Sequence, residues 1–198
     1  MERLRSDVLV IGGGLAGLYA ALRTAALGRH VLLATKSGIR SSNSVWAQGG
    51  IAAAVGHDDA VALHVEDTLA AGAGLCDRAA VEVLCAEAPR RLYDLEALGV
   101  VFDTAPDGSL ELGLEGAHSR RRVLHAGGSQ SGRRMAEPLI ARVLADPRID
   151  VLEGFAVEAL AVADGRCGGA LGTTAAGLVR VDAGATILAT GGAGALYL

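Results

Sequence analysis

The sequence predicts an α/β fold: a doubly wound parallel sheet carrying a small antiparallel β-meander. Three observations predict it. Residues 7–34 read as an apolar strand, a glycine-rich turn, a helix-period segment and a second apolar strand. The middle of the chain alternates polar loops with further helix-period segments. Residues 155–182 then change to short strand-period runs broken by Asp164-Gly165 and by Thr173–Gly177. A chain of 198 residues is long enough to bury one sizeable core.

Asp7-Val8-Leu9-Val10-Ile11 is the pattern of a buried strand. It runs into Gly12-Gly13-Gly14-Leu15-Ala16-Gly17, a G-x-G-x-x-G spacing placed where helical periodicity begins. Gly12 permits the tight turn, Gly14 lets a pyrophosphate approach the backbone, and Gly17 lets the helix pack close on the strand. The helix N-terminus adds free N–H groups and partial positive charge. Leu15–Leu27 is the helix, Gly28 suits its C-cap, and His30–Ala34 is the second strand. This is a Rossmann-like start, and it reads as a dinucleotide site. The second strand ends in Ala34-Thr35-Lys36, where an acid usually holds the adenosine ribose. A lysine there suits the 2′-phosphate of NADP, or a different hold on the ribose in an FAD protein. Spacing alone leaves both open.

Ser37–Ala47 reads as a polar loop and 48–55 as a return to apolar chain. Asp58–Ala71 has helical periodicity, and Asp77 is a good N-cap for a helix over Arg78–Leu98, with Pro89 set to break or kink it and Gly99 to end it. Residues 100–128 read as irregular, with short strands around Val100–Phe102 and Leu110–Leu114. Ser131 caps a helix to about Ala145, and Asp150–Leu152 is a strand. Val157–Ala163, Cys167–Leu171 and Leu178–Val181 form the meander, and Ala185–Ala189 is a last buried strand.

A net charge of −4 points to neither nucleic acid nor an anionic membrane. Met1–Leu22 has the outline of a signal peptide, but Asp7 and the glycine cluster interrupt it. Residues 183–198 are too short and too rich in glycine to span a bilayer. Cys76, Cys85 and Cys167 lack metal spacing and read as buried thiols of a cytoplasmic protein, so no metal is expected. Arg120, Arg121, Arg122, Arg133 and Arg134 read as a solvated face, with attraction of a dicarboxylate as the sharper alternative. Trp46 reads as packing, with stacking on a bound cofactor ring as the sharper alternative.

Beyond the glycine motif, three blocks carry a family signature: Ser44-Val45-Trp46-Ala47-Gln48-Gly49-Gly50-Ile51-Ala52, Glu115-Gly116-Ala117-His118-Ser119-Arg120-Arg121-Arg122, and Ala189-Thr190-Gly191-Gly192. With Thr35-Lys36 they resemble the succinate dehydrogenase/fumarate reductase flavoprotein family, and within it the L-aspartate oxidase group. The resemblance implies FAD rather than NADP. It places the cofactor on Gly12, Gly13, Gly14, Leu15, Ala16, Gly17, Thr35, Lys36, Asn43, Ser44, Val45, Trp46, Ala47, Gln48, Gly49, Gly50, Ala156, Val157, Ala189, Thr190 and Gly191. The respiratory branch carries a flavin-linking histidine where alignment on Gly49-Gly50 places Asn43. An amide cannot make that bond, so FAD is expected to be noncovalent. Gln48, where that branch tends to have Glu, points the same way. The family often reads Gly-Asp-Ala-Thr-Gly-Arg where this chain has Gly128-Ser129-Gln130-Ser131-Gly132-Arg133, so the turn has lost its acid.

The activity implied is FAD-dependent oxidation of L-aspartate to iminoaspartate on the way to quinolinate and NAD. Oxygen or fumarate would reoxidise the flavin, and quinolinate synthase is a possible partner. Glu115 matches the glutamate that orients L-aspartate, and His118 stands either near the flavin or as a structural histidine. A succinate or fumarate oxidoreductase and a non-catalytic FAD-binding fragment are the competing readings. Family members continue into a capping domain, a second flavin-binding stretch and a C-terminal helical domain. Their catalytic arginine lies in those later parts. Residues 1–198 are thus read as the N-terminal part of the FAD-binding domain, without the capping domain and without turnover of L-aspartate on their own.

Overall fold

The structure, a computed structural model, describes residues 1–192. The chain divides into two compact units, one of Met1–Val45 with the described residues from Ala136 onward, the other of Trp46–Met135.

The first unit is built on a six-stranded sheet. Its strands are β1 (Glu2–Ile11), β2 (Val31–Ala34), β6 (Ile149–Leu152), β7 (Ala156–Ala163), β8 (Arg166–Thr174) and β9 (Gly177–Leu188), in the order β6-β2-β1-β9-β8-β7. β6, β2, β1 and β9 run parallel, with Val8 beside Val31 and Ala185, and Val31 beside Ile149. Leu9, Val10 and Ile11 are buried in succession, as a parallel strand covered on both faces requires. Helix α1 (Leu15–Ala26) buries Leu18, Ala21, Leu22 and Ala25 and packs on β1 and β2. A further core cluster joins Leu9, Ile11 and Leu32 to Phe155, Ala170, Val179 and Val181.

Two expectations are corrected here. β1 begins at Glu2 rather than Asp7, because Glu2–Ser6 pair with Val179–Ala183. The expected runs at Leu178–Val181 and Ala185–Ala189 merge into one strand, β9, which ends at Leu188 and is antiparallel to β8 over Gly177–Asp182 and parallel to β1 along most of its length. Gly184 explains the continuity: a Cβ there would stand 3.1 Å from the Asp7 carbonyl oxygen, so its absence lets the extended chain pass.

The second unit pairs α3 (Val61–Ala71) with α4 (Arg78–Ala97) through Val65, Val81 and Cys85. The Asp77 carboxylate accepts the Ala80 N–H at 2.9 Å, capping α4. α4 continues across Pro89, so the expected break does not occur; burial of Val81, Cys85, Leu92 and Leu95 holds one face of the helix on either side. Val100–Phe102 is not a strand, since the Val100 N–H closes the helix end on the Leu95 carbonyl. The small sheet is instead β3 (Ile51–Ala52), β5 (Val123–Leu124) and β4 (Leu112–Gly113), in that order. A short helix, α2 (Asn43–Trp46), replaces part of the expected polar loop.

Helix α5 (Ser131–Ala145) follows a 3-10 turn at Gly128–Gln130. The Ser131 hydroxyl accepts the Ala126 N–H and donates to the Gly128 carbonyl. The acid this turn lacks in sequence comes from elsewhere: the Asp103 carboxylate accepts the Gly127 and Gly128 N–H groups at 2.7 and 2.9 Å. Those two backbone donors, Gly128 first, hold the Asp103 carboxyl below its ordinary value. Of the three thiols only Cys85 is fully buried; Cys76 and Cys167 are half-buried.

Candidate functional site

In the first unit the carboxyl ends of β1, β2 and β9 open into a cavity of about 570 Å³. A crevice at strand ends is where an open α/β sheet binds its ligand. The ends are tied together: the Gly12 N–H donates to the Ala34 carbonyl and the Ala189 N–H to the Ile11 carbonyl, each at 2.8 Å. Gly12 adopts φ +121°, and a Cβ there would overlap the Ala189 carbonyl oxygen. A Cβ on Gly17 would overlap the Gly12 carbonyl oxygen, which confirms its reading as the close helix–strand contact. Gly13 and Gly14 leave bare backbone, with Thr35 beneath the first and Ser44 beside the second. The Ser44 hydroxyl accepts the Leu15 N–H at 3.0 Å, at the first turn of α1.

Gly12, Gly13, Gly14, Leu15 and Ala16 line the cavity, with Thr35, Lys36, Asn43, Ser44, Val157, Ala189, Thr190 and Gly191. Gly17, Val45, Ala156 and residues 46–50 are not among the described residues of its wall. The cavity also takes Phe155, whose N–H donates to the Thr35 carbonyl at 2.9 Å, and Ser37–Gly38. The Glu153 carboxylate accepts the Ile39 N–H at 2.6 Å, holding the loop that follows Lys36. Sequence reading missed Glu153, which carries no motif. Bare glycine backbone, the α1 N-terminus and a void of this size fit an extended dinucleotide such as FAD.

Residues Trp46–Gly50 belong to the second unit. Trp46 is 69% exposed, with the Arg133 guanidinium 5.8 Å from its ring centroid, so the packing assignment is corrected. Ala47 accepts the Gly132 N–H at 2.9 Å, and Gly50, at φ +77°, lies against the Leu124 carbonyl.

Glu115 lies on the exposed loop between β4 and β5, its Oε1 3.5 Å from His125 Nε2. The arginine run beside it divides. Arg120 and Arg121 are exposed, but Arg122 is wholly buried, so it is neither a solvated nor a steering charge. Its Nε and Nη2 donate to the two Asp59 oxygens at 2.8 and 2.7 Å, a bidentate pair with both side chains sealed from solvent. Its Nη1 donates to Asp67 Oδ2 at 2.7 Å and lies 3.3 Å from His118 Nδ1. His118 is therefore part of this network, its ring 5.7 Å from that of His64. Burial pushes the His64 imidazole down, and Arg122 adds to the effect. The Ser119 N–H and then its hydroxyl, with Arg122, hold the Asp67 carboxyl at about 2.

That shift makes stability depend on acid. The Asp67 carboxyl moves from an ordinary 3.8 down to about 2 in the fold, so its contribution is complete above about pH 4 and is lost as pH falls toward 2. Urea midpoints measured from pH 5 to pH 2 should fall less steeply in Asp67→Asn than in the parent. Parallel slopes would remove Asp67 from the account.

Among the described residues no helix is long and apolar enough to cross a membrane, and no group of His, Cys, Asp and Glu could hold a metal. The family described as FAD binding domain matches residues 7–198. L-aspartate oxidase of Caulobacter vibrioides is 45% identical over 96% of this chain and 38% of its own length. L-aspartate oxidase of a Nostoc species is 46% identical over 96% of this chain and 33% of its own. Among solved structures, E. coli quinol fumarate reductase FrdA superposes with a TM-score of 0.91 at 30% identity, covering 98% of this chain and 34% of that one. The chain thus spans just over a third of the length of the first curated relatives it matches.

Proposed function

The chain belongs to the FAD binding domain family and its cofactor is FAD; from that premise we propose that it forms the flavin-holding part of an L-aspartate oxidase, which converts L-aspartate to iminoaspartate in the cytoplasm. The glycine-walled cavity at the strand ends carries the reading, and it is supported by identities above 40% to L-aspartate oxidases against about 30% to the respiratory flavoproteins. FAD, when bound, accepts the hydride that leaves the substrate carbon. The residues of this chain hold and orient. Gly12–Gly14 and the α1 N-terminus receive the pyrophosphate, Thr35 and Lys36 stand at the adenosine end, and Ser44 fixes the first turn of α1. Oxygen or fumarate takes up the electrons, and quinolinate synthase is the partner for the product.

Asn43 lines the cavity in the position where the respiratory branch has its linking histidine, so FAD is held without a covalent bond. Acid precipitation of the flavin-loaded complete enzyme should leave all yellow colour in the supernatant. Colour in the pellet would disprove the noncovalent attachment.

Glu115 pairs with the substrate ammonium and selects aspartate over succinate, which has no ammonium to offer. In the complete oxidase, Glu115→Gln should lower kcat/KM for L-aspartate by about tenfold to a hundredfold, as loss of a charged hydrogen bond of roughly 1.5–3 kcal/mol requires. Fumarate reduction should fall less. Equal losses on both substrates would make Glu115 structural.

A further inference from the structure

The loop bearing Glu115 is short of internal support. Residues 114–117 are exposed, Ala117 sits at φ +68°, and the turn closes on a single backbone bond from the His118 N–H to the Glu115 carbonyl at 3.3 Å. At its base the Arg122 N–H donates to the Gly113 carbonyl at 3.1 Å. Glu115 also meets His125 at 3.5 Å and Arg120 Nε donates to the Asp58 carbonyl at 3.2 Å, both on exposed side chains that by themselves leave the loop room to move. Its anchors come from α3 instead. The Asp67 Oδ2 accepts the Ser119 N–H at 2.7 Å, the Ser119 hydroxyl at 2.8 Å and the Arg122 Nη1 at 2.7 Å. Arg122 itself is fixed from its other side by Asp59, two residues before α3, in a pair with no exposed surface. The distal half of the loop is thus tied to one helix at two residues.

We propose that Asp67 and Ser119 are positioning residues for substrate recognition: the Asp67 carboxylate clamps the loop to α3 and so fixes where Glu115 meets the substrate ammonium. This rests on the reading of Glu115 given above. Neither residue touches the substrate; they act by removing the loop's alternative positions, so that little binding energy goes into ordering it. The arrangement also accounts for one carboxylate oxygen with three donors, two of them from one serine.

The test is steady-state kinetics in the complete, FAD-loaded oxidase. Ser119→Ala removes one clamp bond and leaves the Arg122 pairs intact, so it serves where Asp67→Asn fails to fold. Ser119→Ala should raise KM for L-aspartate about threefold to tenfold, with kcat, the flavin absorbance spectrum and succinate binding within twofold of the parent. Ser119→Thr, which keeps the hydroxyl, should restore the parent KM. In a Glu115→Gln background the Ser119→Ala effect on L-aspartate should vanish, because nothing is left to position. An aspartate KM unchanged by Ser119→Ala, or a loss that multiplies independently with Glu115→Gln, would overturn the clamp while leaving Glu115 as the selector. Glu115→Gln with unchanged aspartate kinetics would overturn the underlying reading, a result visible in the single variant alone.

Discussion

Arg122→Met should destabilise the protein by about 3–5 kcal/mol, the range for removing one partner of a buried ion pair. The cost arises from what stays behind. Asp59 is sealed from solvent and Asp67 nearly so, and removing the guanidinium takes away the ion pair that each makes with Arg122. Burial alone pushes the Asp59 carboxyl up; the Arg122 hydrogen bonds and the Ala60 N–H bring it to a net value below the ordinary one. The triple replacement Arg122→Met, Asp59→Asn, Asp67→Asn should recover much of the loss, because it leaves no uncompensated charge. Urea unfolding measures both. A single-variant loss under about 1 kcal/mol would mean that the pocket rehydrates, as only an exposed pair costs so little.

Gly17→Ala should cost at least about 1–3 kcal/mol and lower FAD affinity by about tenfold or more. The added methyl would overlap the Gly12 carbonyl oxygen, which is backbone and cannot swing away. α1 must therefore lift from the end of β1, and its N-terminus moves off the cavity. Gly28→Ala is the control. Unlike Gly17 it sits at positive φ, +77°, but nothing stands within 4 Å of the added methyl, so its cost should be backbone strain alone, roughly 1–2 kcal/mol, with FAD affinity unchanged. Titration of the apoprotein with FAD separates the two. Equal affinities would mean that helix–strand contact does not set the cofactor site.

What the sequence revealed was what is local and periodic. Gly12 and Gly17 announce their turn because each absent side chain answers a nearby backbone, and Asp77 caps α4 because the cap lies within three residues of its donor. The two-residue strands β3 and β5 could not be read, since two residues have no period. Arg122 was misread for a different reason. Within a run of three arginines nothing local distinguishes the buried one, and its partners Asp59 and Asp67 lie 63 and 55 residues away. Asp103 escaped likewise, because its donors at Gly127 and Gly128 are 24 and 25 residues distant. The division between Leu178–Val181 and Ala185–Ala189 failed because Gly184 looks like a turn residue yet serves a close backbone passage.

The pairing of β1 with β9 bears on synthesis as well as on the folded state. Glu2 sits beside Val179, and every other residue of that ladder is similarly remote from its neighbour in the chain. The contact order of the sheet is therefore high, and its central ladder cannot form until the ribosome has added β9. At roughly 5–20 residues per second, β1 waits about 10–35 s for β9. Through that interval one edge of an apolar strand, Val8–Ile11, stays open beside β2, a template for pairing with other nascent chains. Chaperone demand during translation should follow from this topology, and it should fall in a circular permutant that makes β9 before β1.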